Sequence, residues 1–209
     1  GNNAMNSLLK AINEDLLGAQ SGKTMLGYQD IIADAGTGTV GGINSSTSTF
    51  WQNQKYTTSK TFTTATVANV FDGLVAWNTI MDDCRKQGGR NNAIVTTYSI
   101  AAAYRTALAS AGYGEVSTSN VTGINGPEFP GYMGAQVVAD NDCAALHSYM
   151  VDTEAIKLRV MKQANFKKTP FVSLQSNGQL AQLAYMVAGV QLCTNNRRRS
   201  GVATAITGL

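Results

Sequence analysis

The chain has 209 residues, of which 44% are hydrophobic and only 14% are charged, and its net charge is +3. The hydrophobic share is enough to build a packed core, which excludes a disordered chain. A net charge this small does not indicate nucleic-acid binding from bulk charge alone. Because charged residues fall well below the roughly 25% of an ordinary soluble domain, Ser, Thr, Asn, Gln and backbone must supply much of the polar surface.

The first elements are a short helix and a hydroxyl-rich segment. Leu8, Leu9, Ile12 and Leu16 are spaced for one face of a helix. Farther on, eleven of the twenty residues from Ser45 to Thr64 are Ser or Thr.

A long helix is predicted next, from Thr64 to Gln87. Its apolar residues follow steps of three and four: Val67, Val70, Phe71, Leu74, Ile80, Met81 and Cys84. The pattern stops at two glycines, which commonly end helices. A helix of about 22 residues would be roughly 33 Å long, at 1.5 Å per residue.

The second half of the chain is predicted to be mostly sheet. A strand at 93–97 and a helix at 99–110, with Ser99 as a plausible cap, precede a glycine-rich excursion and the strand "AQVV". Strict alternation over 156–160 predicts a half-buried strand. Further strands are predicted at 171–174, at 184–192 and in the closing "GVATAIT". Helices combined with this sheet predict an α+β fold.

The residues that could carry catalysis or bind a metal are few. Cys84, Cys143 and Cys193 lie about fifty residues or more apart, which gives neither metal-ligand spacing nor a disulfide framework. The single histidine, His147, offers at most one imidazole for general-base work, with Asp140 and Asp142 as its candidate partners. The sequence "ADND" lacks the glycine and glutamate of a calcium loop.

We therefore predict no catalytic site, no metal and no cofactor. A membrane span is also not expected, because the most apolar run, "LAQLAYMVAGVQL", has thirteen residues where about twenty are needed. An enzyme using His147 with Asp140 and Asp142 stays open as an alternative.

An arginine run is the strongest charge feature. Arg197, Arg198 and Arg199 stand between an apolar strand and the closing "GVATAIT". They could hold nucleic-acid phosphates without reading bases. They could also bind a carboxylate on a neighbouring chain through bidentate bonds, or form a solvated hairpin tip.

The order of these segments resembles a known family. The phrases that carry the likeness are "GYQDIIADAGTGTVGGINSSTSTFWQNQ", the predicted helix ending "LVAWNTIMDDCRKQGG", "AIVTTYSIAAAYRTAL", "FPGYMGAQVVADNDC" and "GQLAQLAYMVAGVQLCTNNRRRSG". In this order they resemble the major capsid proteins of tailed bacteriophages or prophages, which have the Hong Kong 97 type fold. The likeness covers about 80% of the chain, from Gly27 onward.

The resemblance implies a self-assembling structural subunit of a virion capsid, made in the bacterial cytoplasm. Its partners would be copies of itself in hexamers and pentamers, scaffolding and portal proteins, and packaged double-stranded DNA. The implied fold has a long spine helix, a mixed sheet and flanking helices. Residues 1–63 would form an N-terminal helix and arm, 64–88 the spine helix of a peripheral domain, 89–150 part of an axial domain, and 151–209 a sheet-rich part shared by both domains.

The same resemblance suggests a role for the hydroxyl-rich segment. Phe50, Trp51 and Tyr56 stand among its hydroxyls, and a segment so poor in charge can lie across another subunit at little desolvation cost. Alternatively, Trp51 and Phe62 tuck under the long helix of their own chain. A Ser/Thr-rich binding or adhesin-like module remains a further alternative for the whole protein.

Overall fold

The computed structural model describes residues 2–62, 72–110, 131–173 and 182–208. The helices of these ranges are α1 (Asn2–Leu17), α2 (Tyr28–Ile31), α3 (Asp72–Lys86) and α4 (Tyr98–Ser110). The strands of the first half are β1 (Thr39–Val40), β2 (Ile43–Asn44), β3 (Gln54–Tyr56), β4 (Lys60–Thr61), β5 (Ala93–Thr96), β6 (Gly131–Tyr132) and β7 (Ala135–Ala139). The strands of the second half are β8 (Ser148–Val151), β9 (Ile156–Val160), β10 (Lys167–Lys168), β11 (Val172–Ser173), β12 (Gln182–Leu183), β13 (Met186–Val187), β14 (Val190–Thr194), β15 (Gly201–Ala203) and β16 (Ile206–Thr207).

A mixed six-stranded sheet organises the body, in the order β3-β15-β8-β5-β7-β6. β15 runs parallel to β3 and antiparallel to β8, while β5 runs antiparallel to β8 and parallel to β7. Because side chains alternate across a strand, each central strand contributes to both faces. In β8, for example, Met150 faces one core, which we call the first core, and Tyr149 and Val151 face the other, the second core.

Helices α3 and α4 cover one face of the sheet. The buried face of α3 includes Ala76, Trp77, Ile80, Met81 and Cys84, and it packs over Met150 and Ala203 of the sheet. Phe62 meets Trp77 edge-on, with ring centroids 5.1 Å apart, and Tyr104 of α4 lies 5.0 Å from Trp77. Edge-to-face and tilted arrangements of this kind suit the ring quadrupoles and add to the burial energy.

The N-terminal segment covers the other face. Ile31 and Ile32, at the end of α2, are fully buried with Tyr149, Val151 and Val202 of the sheet. The small hairpin β1–β2 follows, and its two-residue turn, Gly41–Gly42, has positive φ at both positions. That conformation matches the twist of a tight hairpin and suits glycine. This hairpin is not among the elements predicted from the sequence.

An extended two-stranded hairpin leaves the body between β8 and β15. We call its described residues, 156–173 and 182–194, the β-arm. It consists of the antiparallel pairs β9–β14, β10–β13 and β11–β12, each a separate two-stranded sheet. Of these described residues, Ile156 and Leu192 are buried, and they lie at the base of the β-arm, where they join the second core. Helix α1 contacts the β-arm at β13.

The α+β class predicted from the sequence is confirmed, and the helices agree in part. The N-terminal helix is confirmed, and so are the two later ones over the described residues. Of the predicted 64–87 helix, α3 accounts for Asp72–Lys86, and the part at 64–71 lies outside the described residues. The prediction of Ser99 as a cap is wrong: α4 begins at Tyr98, and Thr97 precedes it with Oγ1 3.5 Å from Ile100 N.

The predicted strands are present, but their burial differs from expectation. β5, β7, β9 and the closing strands lie where the sequence places them. The predicted half-buried character of 156–160 is wrong, because Leu158 and Val160 are exposed on the β-arm. The continuous strand predicted at 184–192 is divided at Gly189 into β13 and β14.

The division at residues 63, 88 and 150 stays a prediction. Of these segments, residues 1–63, 89–150 and 151–209 all contribute strands to the six-stranded sheet. No helix of the described residues is long and apolar enough to cross a membrane.

Candidate functional site

The hydroxyl-rich segment lies along the edge of the body. Its backbone makes a 3-10 turn at Thr49–Trp51 and then enters the sheet as β3. Ser45 is buried, and its hydroxyl donates to the carbonyl of Gly38 over 2.9 Å. The segment is therefore folded onto its own chain. Which of its side chains a partner could contact depends on how far each one is exposed.

The three aromatic candidates of this segment differ in accessibility. Phe50 is 60% exposed, whereas Trp51 is half-buried and its indole N–H donates to the carbonyl of Val40 over 3.1 Å. Tyr56 is half-buried in the edge strand β3 and packs against the first core. Phe62 packs beneath α3, as the intrachain alternative predicts. Phe50 is thus the candidate most available to a second molecule.

Arg197 is buried inside the body. Its side chain is 0% exposed, and its Nε donates to the carbonyl of Ile31 over 2.7 Å. The two terminal nitrogens reach four further acceptors, namely the carbonyls of Asp30 and Gly38, Ser45 Oγ and Asn53 Oδ1. Burial without a carboxylate partner lowers the pKa of the guanidinium. This arginine joins the C-terminal part of the chain to residues 30–53.

The other two arginines of the run lie nearer the surface. Arg199 pairs with the buried carboxylate of Asp152 over 2.8 Å and with Glu154 over 3.0 Å. Arg198 is half-buried, and within the described part of the chain its guanidinium makes no hydrogen bond or ion pair. Since Arg197 is fully buried, Arg198 is the better candidate for contact with a phosphate or with a neighbouring subunit.

The histidine and the two aspartates of the enzyme alternative bind different partners. His147 Nε2 lies 2.9 Å from Asp34 Oδ2, and its ring stacks on Tyr149. The carboxylates of Asp140 and Asp142 instead accept hydrogen bonds from the side-chain amide of Asn13, over 2.9 to 3.2 Å. These contacts hold the N-terminal segments against the body.

Other reactive groups are masked by burial. Desolvation raises the pKa of the Cys84 and Cys143 thiols to about 12, so both are protonated at neutral pH. All three cysteines are free. Within residues 2–62, 72–110, 131–173 and 182–208, no three His, Cys, Asp or Glu side chains are grouped as metal ligands.

A polar groove of about 590 Å³ lies beyond the C-terminal end of α3. Arg85, Arg90, Asn91 and Asn92 line it, together with glycines 88, 89 and 134 and Met133. Among the described residues that line it, the groove has guanidinium and amide groups and no carboxylate or imidazole.

Sequence reasoning missed Asn13, Asp34 and Asn53, which tie the N-terminal segments to the body. Asn53 illustrates the difficulty: its amide binds the backbone of Ala33 at both ends, over 3.1 and 2.9 Å, and also accepts from Arg197. The only signal of Asn53 in the sequence is an amide side chain two positions after Trp51, in a segment that is otherwise rich in hydroxyls.

The described residues define an α+β body with an extended β-arm. The fold is similar to a chain of the capsid asymmetric unit of cyanophage A-1(L), with a TM-score of 0.64 and 20% sequence identity. The likeness covers 98% of this chain and 67% of that chain. No protein-family model matches the sequence, and no curated protein matches it.

Proposed function

We propose that this protein is a structural subunit of a tailed-phage or prophage capsid shell, with the Hong Kong 97 type fold. The observation that carries the proposal is the likeness of fold to the cyanophage capsid chain over 98% of this chain. At 20% identity that likeness concerns the fold, so the shared role is our inference. The order of sequence phrases that resembles phage capsid proteins supports the same role independently.

In this role the protein would act by association rather than by chemistry. Its partners would be copies of itself in hexamers and pentamers, with scaffolding and portal proteins during assembly and packaged DNA inside the finished virion. The contacts of His147, Asp140 and Asp142 favour a structural role for these residues over a catalytic one. His147 binds Asp34, and Asp140 and Asp142 bind Asn13, so each of them holds part of the N-terminal segments against the body.

The proposal is tested by expressing the complete reading frame and examining the product by negative-stain electron microscopy and sedimentation velocity. We expect closed particles or rings of six and five copies. Arg198→Ser tests the surface arginine within the same experiment. Particles that form but fail to retain DNA would support phosphate contact, and failed assembly would support subunit contact. A complete protein that stays monomeric at every concentration and salt tested would contradict the proposal.

A further inference from the structure

The polar groove beyond the C-terminal end of α3 has a cationic lining. Arg85 and Arg90 are both exposed there, and Asn91 and Asn92 supply amide groups beside them. No carboxylate belongs to the part of this lining that the structure describes. A cleft lined by charges of one sign raises the local concentration of ligands of the opposite sign. The groove therefore favours an anion.

The two guanidinium groups of the groove differ in their partners. Arg85 donates from one terminal nitrogen to the carbonyl of Met133 over 3.3 Å, and its other terminal nitrogen lies 3.6 Å from Asp82. Both members of that ion pair are exposed, so solvent screens it and the charge of Arg85 stays largely available. The side chain of Arg90 forms no hydrogen bond or ion pair with the described residues, while its backbone N–H donates to the buried carboxylate of Asp152 over 2.9 Å. Arg90 thus combines an anchored backbone with an unpaired cation.

The acceptors next to these arginines already have donors of their own. The backbone carbonyl of Arg85, in the last turn of α3, accepts a hydrogen bond from the N–H of Gly88 over 2.9 Å. The carboxylate of Asp152 pairs with Arg199 over 2.8 Å. Unsatisfied, a helix-terminal carbonyl and a buried carboxylate would both repel an anion. With both satisfied, the guanidinium groups dominate the potential of the groove.

The walls of the groove leave room for a ligand. Gly88 and Gly134 have positive φ, and a Cβ built on either glycine would meet no heavy atom of the described residues within 4 Å, apart from its chain neighbours. The volume of about 590 Å³ falls within the roughly 300–1,000 Å³ that small-molecule sites occupy. The space therefore suits a small ligand.

We propose that this groove binds a small oxyanion of the phosphate class, held between the guanidinium groups of Arg85 and Arg90. A carboxylate has two oxygens, and a single guanidinium fork can occupy both of them. A phosphate group has more oxygens and a higher charge, so it can accept hydrogen bonds from two forks at once. This inference goes beyond the proposed function and does not depend on it.

A free oxyanion is favoured over the backbone of a nucleic acid. Duplex DNA carries one charge per roughly 1.7 Å of its axis, so its binding draws on several cations along its path. On α3, Asp82 and Asp83 stand within one turn of Arg85 and would repel an extended polyanion. The neighbouring cation, Lys86, is paired with Asp83 over 2.7 Å. Two available guanidinium groups suit a single small anion better than a strand of phosphates.

The first test measures pyrophosphate binding to the complete protein by isothermal titration calorimetry at constant ionic strength. Arg90→Ser removes the unpaired guanidinium, and Arg159→Ser makes the same charge change at an exposed position on the β-arm. We expect Arg90→Ser to weaken binding about tenfold or more, the loss of one charge-assisted contact, and Arg159→Ser to leave it unchanged. Absence of binding to the wild type, or equal losses in the two variants, would overturn the proposal.

Citrate tests the assignment to the phosphate class in the same experiment. It carries a comparable charge on carboxylates alone, so we expect the wild-type protein to bind it about tenfold more weakly than pyrophosphate. Citrate that binds as tightly as pyrophosphate would overturn this assignment.

The second test uses the unaltered chain and so does not depend on the folding of a variant. Phenylglyoxal modifies accessible arginines, and peptide mapping by mass spectrometry measures the rate at each position. We expect saturating pyrophosphate to slow the modification of Arg90 severalfold and to leave Arg159 unchanged. An Arg90 that reacts equally fast with and without pyrophosphate would contradict the site.

The outcomes separate this proposal from the proposed function. Closed particles formed by a protein that does not bind pyrophosphate would leave the capsid role in place and overturn the oxyanion site. Pyrophosphate binding by a protein that stays monomeric would support the site and contradict the capsid role. A double-stranded DNA fragment that binds through Arg90 while pyrophosphate does not bind would also overturn the proposal.

Discussion

At the scale of single residues, the arginine run shows how much the burial and the partners of three identical side chains can differ. Arg197 directs its guanidinium to acceptors on three parts of the segment 30–53. Arg199 pairs with Asp152, and Arg198 keeps a half-buried side chain without a partner among the described residues. A buried cation with no counter-ion is stable only if its hydrogen bonds are satisfied.

Replacing Arg197 should destabilise the protein severely. Arg197→Met keeps the length of the side chain but removes all five hydrogen bonds of the guanidinium, and we expect a loss of about 3–5 kcal/mol in the free energy of unfolding. Urea denaturation followed by tryptophan fluorescence measures the loss. Arg198→Met is the matched control and should stay within about 0.5 kcal/mol of the wild type. Equal effects at the two positions would contradict the structure's placement of Arg197.

The arginine run is visible in the sequence, but the sequence does not show which of its three side chains is buried. Three consecutive arginines have the same composition and the same local context, and only the tertiary fold decides which one points inward. The acceptors of Arg197 lie more than 140 residues away along the chain. No local pattern carries that information. The pairing of His147 with Asp34 was missed for the same reason.

At the scale of elements, helix α3 approaches the sheet closely because β15 begins with glycine. A Cβ built on Gly201 would lie 2.5 Å from Ile80 Cγ2 of α3 and 2.9 Å from Gln54 Cβ of β3. Both distances are below ordinary van der Waals contact. The absence of a side chain at this position therefore sets the separation between the helix and the sheet.

Gly201→Ala should consequently destabilise the helix–sheet interface. Overpacking of this kind typically costs about 1–3 kcal/mol, and thermal unfolding would measure it. Gly131→Ala in the edge strand β6 is a suitable control, because among the described residues its Cβ would meet Ala135 O alone, at 3.7 Å, an ordinary contact. The structure would be contradicted at this interface if both substitutions had the same small effect.

A second link between elements is sensitive to pH. The Lys60 ammonium of β4 lies 2.7 Å from Asp72 Oδ1 at the start of the described part of α3. The hydrogen bond from Lys60 lowers the pKa of Asp72 below its ordinary value of 3.8, and it raises the pKa of Lys60. The carboxylate therefore stabilises the fold above its unfolded pKa, and this contribution is lost as the pH falls through the folded pKa.

Asp72→Asn should remove this dependence. We expect the variant to be up to about 1 kcal/mol less stable than the wild type near pH 7, a small value because the pair is partly exposed. The difference should shrink toward zero below about pH 4 as Asp72 becomes protonated in the wild type. Urea unfolding of both proteins between pH 2 and pH 7 measures it. A difference that stays constant over this range would exclude the carboxylate as its source.

The elements also show what periodicity can and cannot predict. The alternation over 156–160 identified a strand with one apolar face, and β9 has that face. It could not show that the same chain leaves Leu158 and Val160 uncovered. Hydrophobic pattern indicates which side chains need to be buried, but a partner outside the chain satisfies the pattern equally well.

At the scale of the whole molecule, the body and the β-arm should differ in local stability. The six-stranded sheet is covered on both faces, and Ile94 and Met150 at its centre are fully buried. The β-arm has few buried apolar contacts beyond its base. Regions of that kind open locally at a lower free-energy cost than the core does.

Amide hydrogen exchange should show this difference directly. In the dissociated chain we expect the amides of β5 and β8 to exchange slowest and those of β10 and β11 to exchange at least a hundredfold faster. Equal protection of body and arm in the dissociated chain would contradict this account of the fold.

The position of β15 in the sheet constrains how the protein can be made. This strand, residues 201–203, separates β3 from β8 and hydrogen-bonds to both, yet it follows both of them along the chain. A nascent chain emerging from the ribosome carries β3, β5 and β8 before the strand that joins β3 to the others exists. Closure of the sheet must therefore wait until residues 201–203 have been synthesised, so a shorter nascent chain cannot present the finished surfaces of the body to another copy.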